Sequence, residues 1–139
     1  MTGERFKIAP KQMIYSSKEK RECIALDEYK GYMFAVMNYG SHPCCYIRVK
    51  REDSFYEAEK ADIPLTVHGG RITFKQNSLK LSKTQSISGR WIGWDYSGFG
   101  DQVLMPNSYV LNGHAFTIEE LIDDCMDVIN QIVRLKEAM

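Results

Sequence analysis

From Thr117 onward, apolar residues recur at three- and four-residue steps: Ile118, Leu121, Ile122, Cys125, Val128, Ile129, Ile132 and Leu135. That spacing puts them on one face of an α-helix. The segment opens with "TIEE", a capping box in which the Thr117 hydroxyl accepts from the Glu120 amide while the Glu120 side chain reaches back. Acids in the first turns and Arg134 and Lys136 near the end suit the helix dipole. No earlier segment keeps this period. "GYMFAVMNYG" (31–40) and "CCYIRVK" (44–50) are rich in aromatic and β-branched residues and flank "SHP", which predicts two strands joined as a hairpin. "REDSFYEAEKAD" reads as an exposed connection with at most a helical turn. "IPLTVHGGRITF" resumes strand character, with the Gly69-Gly70 pair predicting a bulge or a close backbone approach. "RWIGWDY" is strand-like and "SGFGDQ" ends it with flexible backbone. The first thirty residues carry little signal, and "KEKREC" reads as a solvated turn or helix start. The expected architecture is α+β: one domain over 1–139, a mostly antiparallel sheet with a long C-terminal amphipathic helix packed on it.

Composition adds limits. At 139 residues, 44% apolar and 26% charged, the chain suits one globular core. Lysine plus arginine equal aspartate plus glutamate at 18 each, so there is no overall basic field for duplex nucleic acid or anionic lipid. Local charge is uneven. Residues 71–90 hold five basic side chains and no acid, whereas 117–127 hold five acids and no base. The basic segment, with weak alternation, predicts a mobile loop or an edge hairpin that can close on an anion. No apolar run reaches the roughly 20 residues of a membrane span, and "MTGERFKIAPKQ" has no signal-peptide core, which predicts a cytoplasmic protein. Cys23, Cys44, Cys45 and Cys125 form no CxxC pair, so they read as buried reduced thiols rather than zinc ligands or disulfides.

Candidate chemistry gathers in "TVHGGRITF" and "GRWIGWDYSGFGD". Glycines beside His68 let a ligand approach without meeting a Cβ and can aim peptide N–H groups at it. Strand alternation places Trp94 and Tyr96 with Ile92 on one face, and Trp91, Gly93 and Asp95 on the other, so only one set can line a site. The aromatics serve equally as core. Asp95 and Asp101 read either as turn caps or as ligand contacts. Nothing matches a phosphate-binding glycine loop, a nucleophile elbow or a metalloprotease helix.

Taken in order, "GYMFAVMNYGSHPCCYIRV", "VHGGRITF", "WIGWDYSGFGD" and the "EELIDDCMDVINQI" helix resemble a widespread family of small phage and prophage proteins, along about two thirds of the chain. Its members carry a V-H-G-G-[LI]-T-[YF] strand and a W-[WI]-G-[FW]-D-x-x-H-x-G-D segment. His42, Tyr46, His68, Gly69, Gly70, Thr73, Trp91, Gly93, Asp95 and Asp101 match by position. Gly98 stands where the family commonly has histidine, and Cys45 where it has glycine. The first departure removes the best metal ligand or general base in that loop.

The resemblance and the residues together predict a phage-encoded anti-defence protein that sequesters a small anionic nucleotide-derived molecule, such as a cyclic nucleotide or cyclic ADP-ribose signal, without cleaving it. The expected ligand contacts are His42, Tyr46, His68, Gly69, Gly70, Arg71, Thr73, Arg90, Trp91, Trp94, Asp95, Tyr96 and Asp101. No metal or cofactor is expected, and a homodimer or larger homo-oligomer in the bacterial host cytoplasm is. The alternatives are a metal-assisted hydrolase or phosphodiesterase using His68, Asp95 and Asp101, and an inhibitor that binds another protein.

Overall fold

Two left-handed residues start the architecture. Lys30 (φ 50°) and Gly31 (φ 84°) form the two-residue turn between β1 (Glu22–Tyr29) and β2 (Tyr32–Asn38), the pattern of a type I′ hairpin whose twist matches that of its strands. The computed structural model describes residues 22–39, 42–96, 103–104, 110–111 and 116–138. β1 corrects the expectation that the first thirty residues hold only a turn or helix start around "KEKREC". β2 pairs antiparallel with β3 (Pro43–Val49), as the sequence predicted for this hairpin.

After β3 the chain runs through turns and one 3₁₀ turn, Lys60–Asp62, to a short hairpin of β4 (Thr66–Val67) and β5 (Gly70–Arg71). β6 (Phe74–Lys80) and β7 (Ser86–Asp95) then form a hairpin that completes a five-stranded antiparallel sheet in the order β1-β2-β3-β7-β6. The basic segment is therefore an edge hairpin and not a loop. β8 (Val103–Leu104) and β9 (Val110–Leu111) pair with each other, and α1 (Ile118–Glu137) ends the chain.

Alternation along the central strands sorts the core into two layers. Phe34, Val36, Cys45, Ile47, Ile92, Trp94 and Tyr96 point to the helix side, where they meet Leu121, Ile122, Cys125, Val128, Ile129 and Ile132. Each fully buried aliphatic of that stripe contributes about 1.5–3 kcal/mol. The predicted capping box is present, with Thr117 N–H donating to Glu120 Oε1 at 2.8 Å and Glu120 N–H to Thr117 Oγ1 at 3.1 Å. Phe55, Ile63, Leu65 and Ile72 from the stretch between β3 and β6 extend the same layer. Ala35, Met37, Cys44, Tyr46, Leu79 and Trp91 form a second buried layer on the opposite face. Burial on both faces explains why these strands read as nearly continuous apolar runs. Gly93 sits under the Tyr46 ring, and a Cβ there would collide with that ring and with the Cys45 carbonyl oxygen.

Candidate functional site

The sequence around His68 folds as a turn, which corrects the bulge expected within one strand. His68 (φ 50°) and Gly69 (φ 78°) are the two central residues between Val67 and Gly70, again the type I′ pattern. Histidine is among the non-glycine residues that tolerate this region, and glycine adopts it freely. Nothing lies within 4 Å of where a Gly69 Cβ would stand, so the glycine serves the backbone angle and not a close approach. The hairpin is pinned to α1 by Gln131, whose Oε1 accepts from Thr66 N–H at 3.0 Å and whose Nε2 donates to the Thr66 carbonyl at 2.8 Å.

That docking brings His68 to Asp124. Nε2 lies 2.8 Å from Asp124 Oδ2, and the same oxygen accepts from the Tyr96 hydroxyl at 2.6 Å. Trp94 Nε1 in turn donates to the Tyr96 oxygen at 2.9 Å. A chain of hydrogen bonds thus runs from a buried indole to an imidazole whose side chain is 56% exposed, through a carboxylate 18% exposed. An ionised carboxylate only accepts, so the neutral imidazole carries its proton on Nε2 and presents the Nδ1 lone pair. Nδ1 has no partner among the described residues. Phe116, just before the helix cap, packs 5.6 Å from the His68 ring and 4.6 Å from Tyr96, centre to centre.

Burial, then the charges of Cys45 and Asp124, push the Tyr96 hydroxyl far above its ordinary range, which keeps it a neutral donor. Beneath it, Cys45 Sγ lies 3.9 Å from the Tyr96 oxygen and 3.8 Å from the Leu121 carbonyl. Burial first, and the neighbouring Cys125 second, raise the Cys45 thiol well above 9.0. Thiols held protonated in this way are poor nucleophiles. All four cysteines are free, with Cys44, Cys45 and Cys125 buried.

The predicted residues divide. His68, Gly69, Gly70 and Arg71 share the short hairpin, and Trp94 and Tyr96 support it from below. Trp91 faces the other layer, fully buried, with Nε1 donating to the Ile87 carbonyl at 3.1 Å. Neither tryptophan offers an open stacking face, which corrects the expected aromatic platform. Tyr46 is buried with Trp91, its hydroxyl 2.8 Å from that of Tyr39 and its ring edge-on to Phe74. Asp95, in register with Cys44, is exposed and alternates away from Tyr96, hence away from His68. His42 stands half-buried before β3, its carbonyl accepting from Tyr39 N–H at 3.2 Å. Exposed Thr73 uses its amide to extend the pairing of β6 with β7, donating to the Gly93 carbonyl at 3.0 Å. Arg90 lies midway along β7, opposite Val49 at the end of β3, and its Nε donates to Asn77 Oδ1 at 2.9 Å and Nη1 to the Tyr56 carbonyl at 2.8 Å. It is fixed there rather than poised to close with Arg71. Asp101 and Gly98 lie outside the described residues.

Sequence reasoning missed Asp124 and Gln131. Asp124, Asp127 and Gln131 recur at steps of three and four, a polar stripe flanking the apolar one, and Gln131 Nε2 also donates to Asp127 Oδ2 at 3.0 Å. That stripe was visible; its partner was not. Among the described residues no three His, Cys, Asp or Glu side chains converge into a set able to hold a metal ion. No helix among them is long and apolar enough to cross a membrane. Compared with protein-family models, curated proteins and solved structures, the chain matches none.

Proposed function

We propose that this chain is a phage-type binding protein that captures a small anionic nucleotide-derived molecule at the His68 end of the sheet and releases it intact. The observation that carries the reading is the exposed imidazole held in one orientation by Asp124, Tyr96 and Trp94. A fixed ring on a two-residue turn loses little freedom on binding, and such preorganisation favours affinity. Its outward nitrogen accepts a ribose or base N–H or O–H when neutral and donates to a phosphate when protonated. Arg71, exposed on the same hairpin, supplies a permanent positive charge. The ring itself is the open flat surface for a base. A hairpin this small buries little of a ligand, so the reading includes a homodimer or larger homo-oligomer in the host cytoplasm, with the ligand shared between copies.

One observation favours a second reading. A histidine oriented by a carboxylate is also the arrangement of a general base, which would make the protein a hydrolase of the same ligand. One experiment separates the two. Purified protein is mixed with cyclic dinucleotides, cyclic trinucleotides and cyclic ADP-ribose isomers, its melting temperature is read, and the ligand is recovered by heating. A raised melting temperature with intact ligand supports sequestration. A shortened ligand supports the hydrolase, and no response to any member of the panel removes both.

A further inference from the structure

Three cations from separate parts of the chain reach the Tyr56–Ala58 stretch, remote from His68. The Arg90 guanidinium lies 4.3 Å from the Tyr56 ring centre, and that of Arg51, in the turn after β3, lies 5.7 Å from it. Lys75 on β6 is in register with Ile92, so it rises on the same face of the sheet as Arg90, and it donates to the Ala58 carbonyl. Arg90 is preorganised by its bonds to Asn77 and the Tyr56 carbonyl, and 22% of its side chain remains exposed. Among the described residues, Glu57 is the carboxylate paired with this group. Glu57 reaches Arg90 Nη1 at 2.7 Å although 82% of its side chain is exposed. Its carboxyl sits below the ordinary range, through the Arg90 hydrogen bond and charge first and the charges of Lys75 and Arg51 after. Arg51 itself has no ion-pair partner among the described residues.

We infer that Arg51, Lys75 and Arg90 form a binding site for a dianionic phosphoryl group, with the Glu57 carboxylate occupying it in the free protein. The charge count selects phosphate over carboxylate. Once Glu57 has swung aside the site presents three positive charges, and a phosphate monoester, carrying about −1.5 to −2 near pH 7, offsets more of them than a single carboxylate does. A guanidinium already fixed by stacking and two hydrogen bonds loses little freedom when it takes a charge-assisted bond, while the exposed Glu57 side chain swings aside at small cost. Tyr96, just past the end of β7, lies six residues beyond Arg90, about 20 Å at strand rise, so this site is separate from the His68 end and stands or falls without it.

The test follows the Arg90 Nε–H signal by nitrogen-resolved NMR in the full chain, titrated with inorganic phosphate and with pyrophosphate at chloride-matched ionic strength. A saturable shift is expected for both. Glu57→Gln should tighten binding about threefold, and Arg51→Gln should weaken it by at least as much, both being substitutions of exposed side chains. His68→Ala and Lys83→Gln should leave the titration unchanged. Absence of a saturable shift, or an affinity indifferent to Arg51→Gln in protein of unchanged melting temperature, overturns the proposal.

Discussion

Two tyrosine-to-aspartate hydrogen bonds tie the sheet to what packs on it, one toward each end of α1, and they end differently. Tyr32 donates to Asp53 Oδ1 at 2.7 Å, and Tyr96 donates to Asp124 Oδ2 at 2.6 Å. The Asp53 group closes on itself: Oδ2 accepts the Lys50 amide at 2.8 Å, Lys136 Nζ lies 3.4 Å from Oδ1, and Lys50 Nζ covers the Tyr32 ring at 4.3 Å. Asp53 is buried, and each partner points inward or caps the cluster. The Asp124 group instead opens outward, because its last member is an exposed imidazole. The same local chemistry thus makes a clasp where every partner, the partly exposed Lys136 included, is engaged within the cluster, and a presenting device where the last member faces solvent.

The contrast is sharpest for stability. Asp53→Ala leaves the buried Tyr32 hydroxyl and the Lys50 amide without their acceptor, and should cost about 3–5 kcal/mol in urea unfolding, the range for breaking a buried charged network. Whatever fraction remains folded should still respond to ligand. Asp124→Ala should cost less, about 1–3 kcal/mol, since its carboxylate is partly solvated and mainly the Tyr96 hydroxyl is stranded. Adding Tyr96→Phe should recover part of that loss by removing the orphaned group. A strictly additive double variant would show that the two side chains are not coupled as described.

Alkaline titration distinguishes the clasp by its own tyrosine. Burial, with Asp53 adding to it and the Lys136 bond opposing, lifts the Tyr32 hydroxyl from 10.0 to about 12. The folded state therefore holds a proton where the unfolded chain loses it. The contribution is full below about pH 10 and is lost as pH rises through about 12. Stability measured across that window should fall less steeply in Tyr32→Phe than in the parent, and equal slopes would detach Tyr32 from the effect.

The smallest change in stability belongs to the exposed end. His68→Ala should shift unfolding by less than about 0.5 kcal/mol, as expected for a surface side chain, yet it should remove the ligand-induced rise in melting temperature. A large loss of stability would make His68 a second clasp and dissolve the comparison.

How much of this was legible depends on range. The helix, its capping box and its buried stripe were readable because each rests on residues three or four apart, and the β2–β3 hairpin because its strands are joined by so few residues. Face assignment on β7 also followed from alternation alone: Ile92, Trp94 and Tyr96 do share the helix side. β1 was missed because "CIALDEY" mixes half-buried and charged positions, as befits the first strand in the sheet order of the described residues. "HGG" was read as a bulge because a two-residue turn between two-residue strands leaves too little flanking pattern to announce itself.

The sequence by itself determined the α+β class, the start of the helix and which strand residues share a face, since periodicity and capping are local properties of the chain; which of the two faces meets the helix came from the packing. Only the tertiary structure decided which polar groups meet. His68 and Asp124 lie in a turn and a helix 56 residues apart, and Tyr96 reaches the same carboxylate from a third element. Arg90, which stands two residues from Ile92 on the face Tyr96 also shares, was drawn instead to Tyr56, Glu57 and Asn77, midway along the strand and away from His68. Hydrogen bonds and ion pairs act over a few ångströms of space and carry no imprint on sequence spacing, so their partners are fixed only once the sheet, the hairpin and the helix have packed.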